Sequence, residues 1–334
     1  MAANLKTIAE RAGVAVSTVS LILNRKPNDF SSEGTRRKVF AIAAELGYKQ
    51  KFGHKLLRGD RTRTVAILLG MHRLTLEEHI QTLIMDLLDR LEPQGWGSYL
   101  VTLGGNAAEN ATVIRDLVDR GAESFIFLGD PAGAAELERT VLEQKRTFVG
   151  YASNFSRNVL SDSSGSTAEI IRYFLAEGRH NFRCFFGKPS HSKRLDGLRR
   201  VFPDLTRDEL ETRYLRSLEC GHDLGETDDI DTFAHMGYRA TRQAFEEDPR
   251  IDACFYLSDY FAAGGLRYLV EKDRRIGSDV LVAGFNDIHA IRNYPFPVSS
   301  AAHDIPLIAS ALIEEMTGTG PLTRLVPTRT IIRK

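Results

Sequence analysis

The chain of 334 residues has few cysteines and no apolar run long enough to cross a membrane. Its three cysteines, Cys184, Cys220 and Cys254, are widely spaced, which argues against a disulfide framework and is typical of a reducing compartment. The first twenty residues carry a helical pattern in place of a secretory signal. The sequence therefore predicts a cytoplasmic protein with no membrane partner, and its length predicts more than one domain.

Sequence motifs for common enzyme chemistry are also missing. The chain has no phosphate-binding loop, no dinucleotide-binding glycine pattern, no nucleophile elbow and no metalloprotease helix motif. The acidic stretch 219–229 contains potential metal ligands, but their spacing matches no zinc site, which favours a polar surface loop. We therefore expect no enzyme activity, no cofactor and no metal site.

Net charge is absent from the chain as a whole, yet the charged residues are unevenly distributed. Residues 1–62 contain 12 lysines and arginines against 5 acidic residues, whereas the remainder contains 32 against 39. A basic head favours contact with phosphates, and an acidic body repels DNA. Nucleic-acid binding is therefore expected of the head alone.

The basic segment begins with two short helical patterns joined by a tight turn. Asn4 fits an N-cap, and Gly13 follows the first apolar stripe, where a chain reversal requires a positive φ. A third helix with a basic start is expected from about Ser32, which fits its N-cap, to Leu46. This order predicts a DNA-binding helix-turn-helix, and the alternative is a helical hairpin within some other domain.

From Thr64 onward, short apolar runs alternate with longer amphipathic stretches. Such alternation predicts parallel sheets covered by helices on both faces, and the continuous apolar runs fit strands that are buried on both sides. Ligands on these sheets bind at the carboxyl ends of the strands, and two hinged subdomains would hold one in the cleft between them.

The sequence resembles the lactose-repressor/galactose-repressor (LacI/GalR) family of bacterial transcription regulators. The N-terminal motifs that carry the resemblance are Ile8-Ala9, Gly13-Val14, Thr18-Val19-Ser20, Leu23-Asn24, Thr35-Arg36 and Leu46-Gly47-Tyr48. Weaker matches follow at Arg194–Leu198, Ser258–Gly264, Gly284–Asp287 and Pro297–Ser300. The resemblance implies an N-terminal all-α helix-turn-helix domain followed by an α/β sensor like the periplasmic binding proteins, built from two doubly wound parallel-sheet subdomains.

Domain boundaries follow from the same resemblance. We expect the helix-turn-helix domain at 1–49, a hinge or linker at 50–62 and an effector-binding domain at 63–334. Within the last, subdomain one is placed at about 63–160 and 291–318, and subdomain two at about 161–290 and 319–334. The chain would cross between the two subdomains three times.

The resemblance also assigns residues to DNA. Val16, Ser17 and Leu21 match the base-reading positions of the recognition helix, although none can make a bidentate bond to guanine or adenine. The remaining expected DNA contacts are Thr18, Ser20, Asn24 and Arg36. Leu57 matches a leucine that wedges into the minor groove, but Gly53 weakens a hinge helix, so a flexible basic linker is the alternative.

Candidate effector-binding residues lie near the ends of predicted strands. Arg194 matches the family's effector-gripping arginine, with a surface salt bridge as the alternative. Ser258 and Asn286 stand where the family often has Asn and Asp, which argues against a common neutral-hexose site. Asp162 either contacts the ligand or caps a helix, whereas Asp259 is interpreted as structural.

The loop that contains His191 is rich in basic residues, including Lys188 and Lys193. If it faces the cleft it favours an anionic effector, and otherwise it is a solvated surface loop. The combined features predict a homodimeric regulator, a repressor, that binds palindromic double-stranded DNA and responds to a sugar or sugar derivative. The alternatives are a carbohydrate-binding protein without a DNA-binding role and an enzyme on the same fold.

Overall fold

The computed structural model describes residues 4–23, 29–48, 61–70, 77–186, 192–218, 230–256 and 258–334. Contacts divide the chain into two compact units, residues 1–62 and 63–334. Within the described ranges, no helix is long and apolar enough to cross a membrane.

The first unit contains three helices, α1 (Leu5–Ala12), α2 (Val16–Leu23) and α3 (Glu33–Glu45). The Asn4 side chain accepts a hydrogen bond from the Thr7 N–H at 2.9 Å, and Ser32 accepts one from the Thr35 N–H, so both predicted N-caps are confirmed. Gly13 has φ of 73°, which permits the sharp turn into α2. The helices share one small apolar core of Ile8, Ala9, Ala12, Val19, Ile22, Val39 and Ala43.

The second unit alternates strands and helices along its length. In chain order its elements are β1 (Thr64–Leu69), α4 (Glu78–Leu91), β2 (Gly97–Thr102), α5 (Ala107–Asp119), β3 (Ser124–Leu128), α6 (Ala134–Glu143), β4 (Thr147–Tyr151), β5 (Arg157–Asp162), α7 (Ser164–Ala176), β6 (Phe182–Phe186), α8 (Ser192–Val201), α9 (Arg207–Tyr214), β7 (Leu215–Ser217), α10 (Ile230–Glu247), β8 (Ala253–Tyr256), α11 (Asp259–Glu271), β9 (Leu281–Phe285), α12 (His289–Arg292), β10 (Val298–Ala302), α13 (Ile305–Glu315), β11 (Leu322–Pro327) and β12 (Arg329–Ile331).

The strands form two six-stranded sheets, each the centre of one lobe. Sheet one has the order β11-β5-β4-β3-β1-β2 and is entirely parallel. Sheet two has the order β12-β10-β9-β8-β6-β7 and is parallel except for β12 at its edge. The predicted fold class is therefore confirmed.

Strand β1 shows why its apolar run is continuous. Every residue of β1 is buried. Val65, Ile67 and Leu69 pack in the core on one side of the sheet, with α4 and α13, while Ala66 and Leu68 join the core on the other side, with α5 and α6. Burying a large aliphatic side chain contributes about 2 kcal/mol, so both faces of the strand require apolar residues.

The chain crosses between the lobes three times, as the resemblance implies, but the expected subdomain boundaries are wrong near the C-terminus. Strand β10 lies within 291–318, yet it pairs with β9 in sheet two. Strand β11 lies within 319–334, yet it pairs with β5 in sheet one. Between them, α13 returns to pack on lobe one. Each of these strands pairs with a neighbour that only the folded sheet brings beside it, so the local sequence does not indicate which sheet the strand joins.

Candidate functional sites

The exposed face of α2 is the candidate nucleic-acid interface. Val19 and Ile22 are buried in the core of the first unit and fix the helix on α1 and α3. Ser17 is exposed and Val16 keeps 44% of its accessible surface, so the start of the helix projects outward. The other predicted contacts on α2 are half-buried, namely Thr18, Ser20 and Leu21. Two further predicted contacts, Asn24 and Leu57, lie outside the described residues.

Arg36 at the start of α3 is held by its own chain. Its Nε donates to the Asp29 carboxylate at 2.7 Å, and its Nη2 donates to the Asp29 carbonyl oxygen at 2.9 Å. Hydrogen bonds from Ser31 and then from Arg36 lower the pKa of Asp29. Arg36 therefore fastens the segment before α3, and its contact with phosphate remains a prediction. The adjacent Arg37 and Lys38 are exposed.

The three crossings between lobes meet at hydrogen-bond distance. His303, on the second crossing, has its Nδ1 2.8 Å from the Ser161 hydroxyl and 3.2 Å from the Tyr151 hydroxyl, both at strand ends of lobe one. On the third crossing, the Thr328 N–H donates to the Asp162 carbonyl oxygen at 3.1 Å. The crossings therefore form a hinge at the carboxyl ends of the strands.

Lobe two contributes aromatic and cationic groups to the same place. The Phe285 ring meets the His303 ring edge-on, with centroids 5.1 Å apart. The Arg194 guanidinium lies 4.0 Å from the Phe285 centroid, a distance typical of a cation–π contact. Burial lowers the pKa of Arg194 to about 9, although the residue keeps part of its accessible surface.

His79 completes this arrangement from the first turn of α4. Its ring stacks on His303 with centroids 4.7 Å apart and planes 20° apart. Burial lowers the pKa of His79 to about 4. Burial is also the main reason that the pKa of His303 lies well below its usual value, and the positive charges of His79 and Arg194 lower it more. We call these groups the hinge cluster, which comprises His79, Tyr151, Ser161, Arg194, Phe285 and His303.

A second set of contacts joins the lobes beside the hinge cluster. The Glu78 N–H donates to the Tyr260 hydroxyl at 3.1 Å. The Glu78 carboxylate in turn accepts hydrogen bonds from the His289 N–H at 2.8 and 3.0 Å. The start of α4 in lobe one is thus tied to the starts of α11 and α12 in lobe two, so a change in the lobe angle would break these bonds.

The remaining predicted effector residues occupy different positions. Ser258 precedes α11, and its hydroxyl makes no capping hydrogen bond. Asn286 follows β9 with φ of 95°, a conformation that is strained for a side chain other than glycine. Asp162 accepts hydrogen bonds from the N–H and hydroxyl of Ser164, the first residue of α7, whereas the N-cap of that helix is Ser163, so contact of Asp162 with a ligand stays a prediction. His191 lies outside the described residues.

Asp259 is a structural carboxylate, as expected. It is completely buried and accepts hydrogen bonds from the Ile288 N–H at 2.9 Å and from the Ser300 hydroxyl at 3.1 Å. Burial raises its pKa to about 7, against the opposing effect of these two hydrogen bonds. Among the described residues, no group of three His, Cys, Asp or Glu side chains could hold a metal ion.

Sequence reasoning did not identify His79, Tyr151, Ser161 or His303 as a site. They come from α4, β4, β5 and the second crossing, and no motif links these four segments. The available signal was weak. A polar residue at the end of an apolar run marks a strand end, as for Tyr151 and His303, but only the sheet order shows which strand ends are neighbours.

Comparison with known proteins agrees with this architecture. Residues 4–51 match the model described as bacterial regulatory proteins of the lacI family, and residues 171–334 match a periplasmic binding protein-like domain. The lactose operon repressor of Escherichia coli is 24% identical over 320 residues, which cover 93% of this chain and 83% of that protein.

Two solved structures share the fold across both units. The lac repressor dimer bound to operator and an anti-inducer matches with a TM-score of 0.73 at 19% identity, covering 100% of this chain and 99% of that one. The complex of the transcriptional regulator CelR with cellobiose matches with a TM-score of 0.63 at 21% identity, covering 99% of each chain. These similarities extend over the helical unit and the two lobes.

Proposed function

Because the chain belongs to the lacI family of bacterial regulatory proteins, we propose that it represses transcription by binding a specific DNA sequence under the control of a small metabolite. The observation that carries this proposal is the exposed start of α2 on the basic unit. A helix presented in this way fits the major groove, where base edges are read.

The second unit would bind the metabolite that controls the affinity for DNA. It has two lobes joined by three crossings, and ligands of such folds bind between the lobes at the carboxyl ends of the strands. A structure similar to this one holds cellobiose, which supports a sugar or sugar derivative as the effector class. A metabolite that prefers one lobe arrangement would shift the population toward it and thereby change the affinity for DNA.

The expected assembly is a dimer with twofold symmetry. A single recognition helix reads few bases, and a dimer doubles the site. The second unit has an apolar pocket of about 690 Å³ between α10, α11 and the segment 294–296, lined in part by Tyr238, Val270 and Tyr294. Val270 and Tyr294 keep 46% and 37% of their accessible surface in the single chain, which supports this face as the contact between two copies.

Selection from randomised double-stranded DNA tests the proposal directly. The full chain is expected to enrich one palindromic sequence, because two α2 helices would read equivalent half-sites. The affinity for this sequence should fall linearly with salt on a double-logarithmic plot, since each phosphate contact releases counterions. Recovery of no preferred sequence at low salt would exclude the proposed function.

A further inference from the structure

The turn that follows β9, residues 286–289, is fastened to lobe two by its backbone. Asn286 and Asp287 both have positive φ, of 95° and 52°, a conformation that persists only where the surroundings enforce it. The first three N–H groups of the turn donate within lobe two, at 2.7, 3.1 and 2.9 Å, to the Ala301 carbonyl, the Ser300 hydroxyl and the Asp259 carboxylate. The backbone of the turn is therefore fixed by lobe two alone.

Two arginines hold the side chain of the same turn. The Asp287 carboxylate accepts a hydrogen bond from Arg333 Nη2 at 2.6 Å and lies 3.0 Å from Arg292 Nε. Arg292 Nε also donates to the Asp287 carbonyl oxygen at 2.7 Å. Asp287 is buried, and charge-assisted bonds to a buried carboxylate are strong. The turn therefore resists deformation and cannot absorb a movement of the lobes.

The fourth N–H of the turn, that of His289, has its acceptor in lobe one. It donates to both carboxylate oxygens of Glu78, at 2.8 and 3.0 Å. His289 begins α12, and the first N–H of a helix has no acceptor within that helix. Glu78 is the first residue of α4 and keeps part of its accessible surface, so water can replace its carboxylate when the lobes part.

We propose that the Glu78 carboxylate is a latch that holds the two lobes at the observed angle by binding the rigid turn of lobe two. Because the turn stays with lobe two, a change in the lobe angle must break the bond between Glu78 and His289. This contact then shifts the balance between lobe arrangements even without a metabolite. The inference rests on the proposed function only in its consequence for DNA, where the lobe arrangement would control the affinity.

A distance measurement between the lobes tests the latch without requiring an effector. Spin labels are attached to the full chain at Arg115→Cys on α5 and Arg199→Cys on α8, two exposed positions in different lobes. Cys220→Ser removes a further thiol, while Cys184 and Cys254 are buried and are kept. An excess of unlabelled protein ensures that double electron–electron resonance reports distances within one chain.

The acceptor is tested by substitution of Glu78. Glu78→Ala should raise the population of other lobe distances relative to the wild-type distance by about tenfold, the effect typical of a hydrogen bond to a charged group. Glu78→Gln keeps one acceptor oxygen and should cause a smaller change. Glu92→Ala is the matched control, because Glu92 is an exposed glutamate at the other end of α4, and it should leave the distribution unchanged.

The donor is tested by His289→Pro, which removes the N–H. Ile288 already has φ of −68° and ψ of 154°, the extended backbone that a residue before proline requires, and proline is tolerated at the first position of a helix. His289→Pro should reproduce Glu78→Ala, and the double variant should add little, because both changes remove the same bond. His289→Ala keeps the N–H and should match the wild type.

Three results would overturn the latch. They are an unchanged distance distribution in Glu78→Ala, an equal response in His289→Ala, which would assign the effect to the imidazole, and additive effects of Glu78→Ala and His289→Pro. If His289→Pro does not fold, the comparison of Glu78→Ala with Glu78→Gln and Glu92→Ala still decides, since equal responses of all three variants would exclude the carboxylate as the cause.

DNA selection with the same preparations reports on the proposed function. Glu78→Ala should change the affinity for the selected palindrome by at least about threefold, because a shift between lobe arrangements of different DNA affinity changes the observed affinity. An unchanged affinity would overturn this consequence. A protein that selects a palindrome but keeps one lobe distance in every variant contradicts the latch alone, whereas a protein whose distances respond but that selects no DNA contradicts the proposed function alone.

Discussion

The two units of this chain present opposite kinds of surface. In the first, α2 exposes small hydroxyl and aliphatic side chains around Ser17, and the core beneath them is small. In the second, the hinge cluster places imidazoles, a phenol and a guanidinium between two lobes, largely out of water. A surface that recognises a duplex must stay open, whereas a site for a metabolite gains its specificity by enclosure.

The buried ionisable groups of the second unit differ from Asp29 of the first unit in the cause of their pKa shifts. In the first unit, the shifted pKa of Asp29 is caused mainly by hydrogen bonds at the surface. In the second, burial is the largest cause for His79, Arg194 and Asp259. Desolvation makes the charge of these buried groups depend on their immediate surroundings, whereas the exposed basic residues of the first unit can each contact a phosphate separately.

Removal of residues 1–62 should have the largest effect. The remaining segment 63–334 is a compact unit, so it should keep its fold and any thermal stabilisation by effectors. Its affinity for the selected palindrome should fall by at least about a thousandfold, because the basic helix-turn-helix is gone. Fluorescence anisotropy with labelled DNA measures the loss. Retained affinity would show that the second unit also binds DNA.

Acidification should destabilise the second unit selectively. The pKa of His79 falls from about 6.5 to about 4 on folding, so the unfolded chain binds more protons below pH 6.5 and stability declines toward pH 4, by up to about 3 kcal/mol. Urea unfolding followed by the single tryptophan, Trp96, reports on this unit, because Trp96 packs against the core of lobe one. His79→Gln should reduce the decline.

Asp259 should affect the pH dependence of stability in the opposite direction to His79 and therefore serves as a control. Its pKa rises on folding from 3.8 to about 7, so the folded chain binds the extra proton and its contribution to stability grows as the pH falls from 7 to 4. Asp259→Asn removes this gain and should steepen the loss on acidification. Identical pH profiles for the wild type and both variants would show that burial does not control these groups.

Substitution in the apolar pocket should affect assembly. Val270→Asp places a charge on the proposed contact face and should weaken the dimer by about tenfold or more, because an unpaired charge in an apolar contact is costly. Leu142→Asp is the matched control, since Leu142 is similarly exposed, at 54%, on α6. Sedimentation velocity over a concentration series distinguishes them. Equal dissociation of both variants would rule out this face as the contact.

The smallest expected effect on affinity concerns the readout helix. Leu21→Arg should change the preferred bases in a selection, because an arginine can bond two acceptors of guanine, while total affinity changes by about tenfold or less. Leu142→Arg adds the same charge to the second unit and should leave the preference unchanged. An unchanged preference in Leu21→Arg would show that α2 does not place this position at the bases.

Elements with local signals could be predicted from the amino-acid sequence. The helix caps at Asn4 and Ser32, the turn at Gly13 and the apolar run of β1 each depend on interactions within a few residues, so their patterns predict them. The alternation of strands and helices likewise predicted parallel sheets, because a strand buried on both faces must be apolar throughout, whereas the number of sheets was implied by the family resemblance.

The pairing of distant segments could not be predicted in this way, because it depends on how the whole chain folds. Strands β10 and β11 join opposite sheets to those expected, because sheet edges and crossings are set by the whole fold. The stacking of His79 on His303 joins residues more than two hundred positions apart, and it has no periodic or motif signature. The charge state of such groups depends on the water excluded around them, and that exclusion exists only once the lobes are assembled.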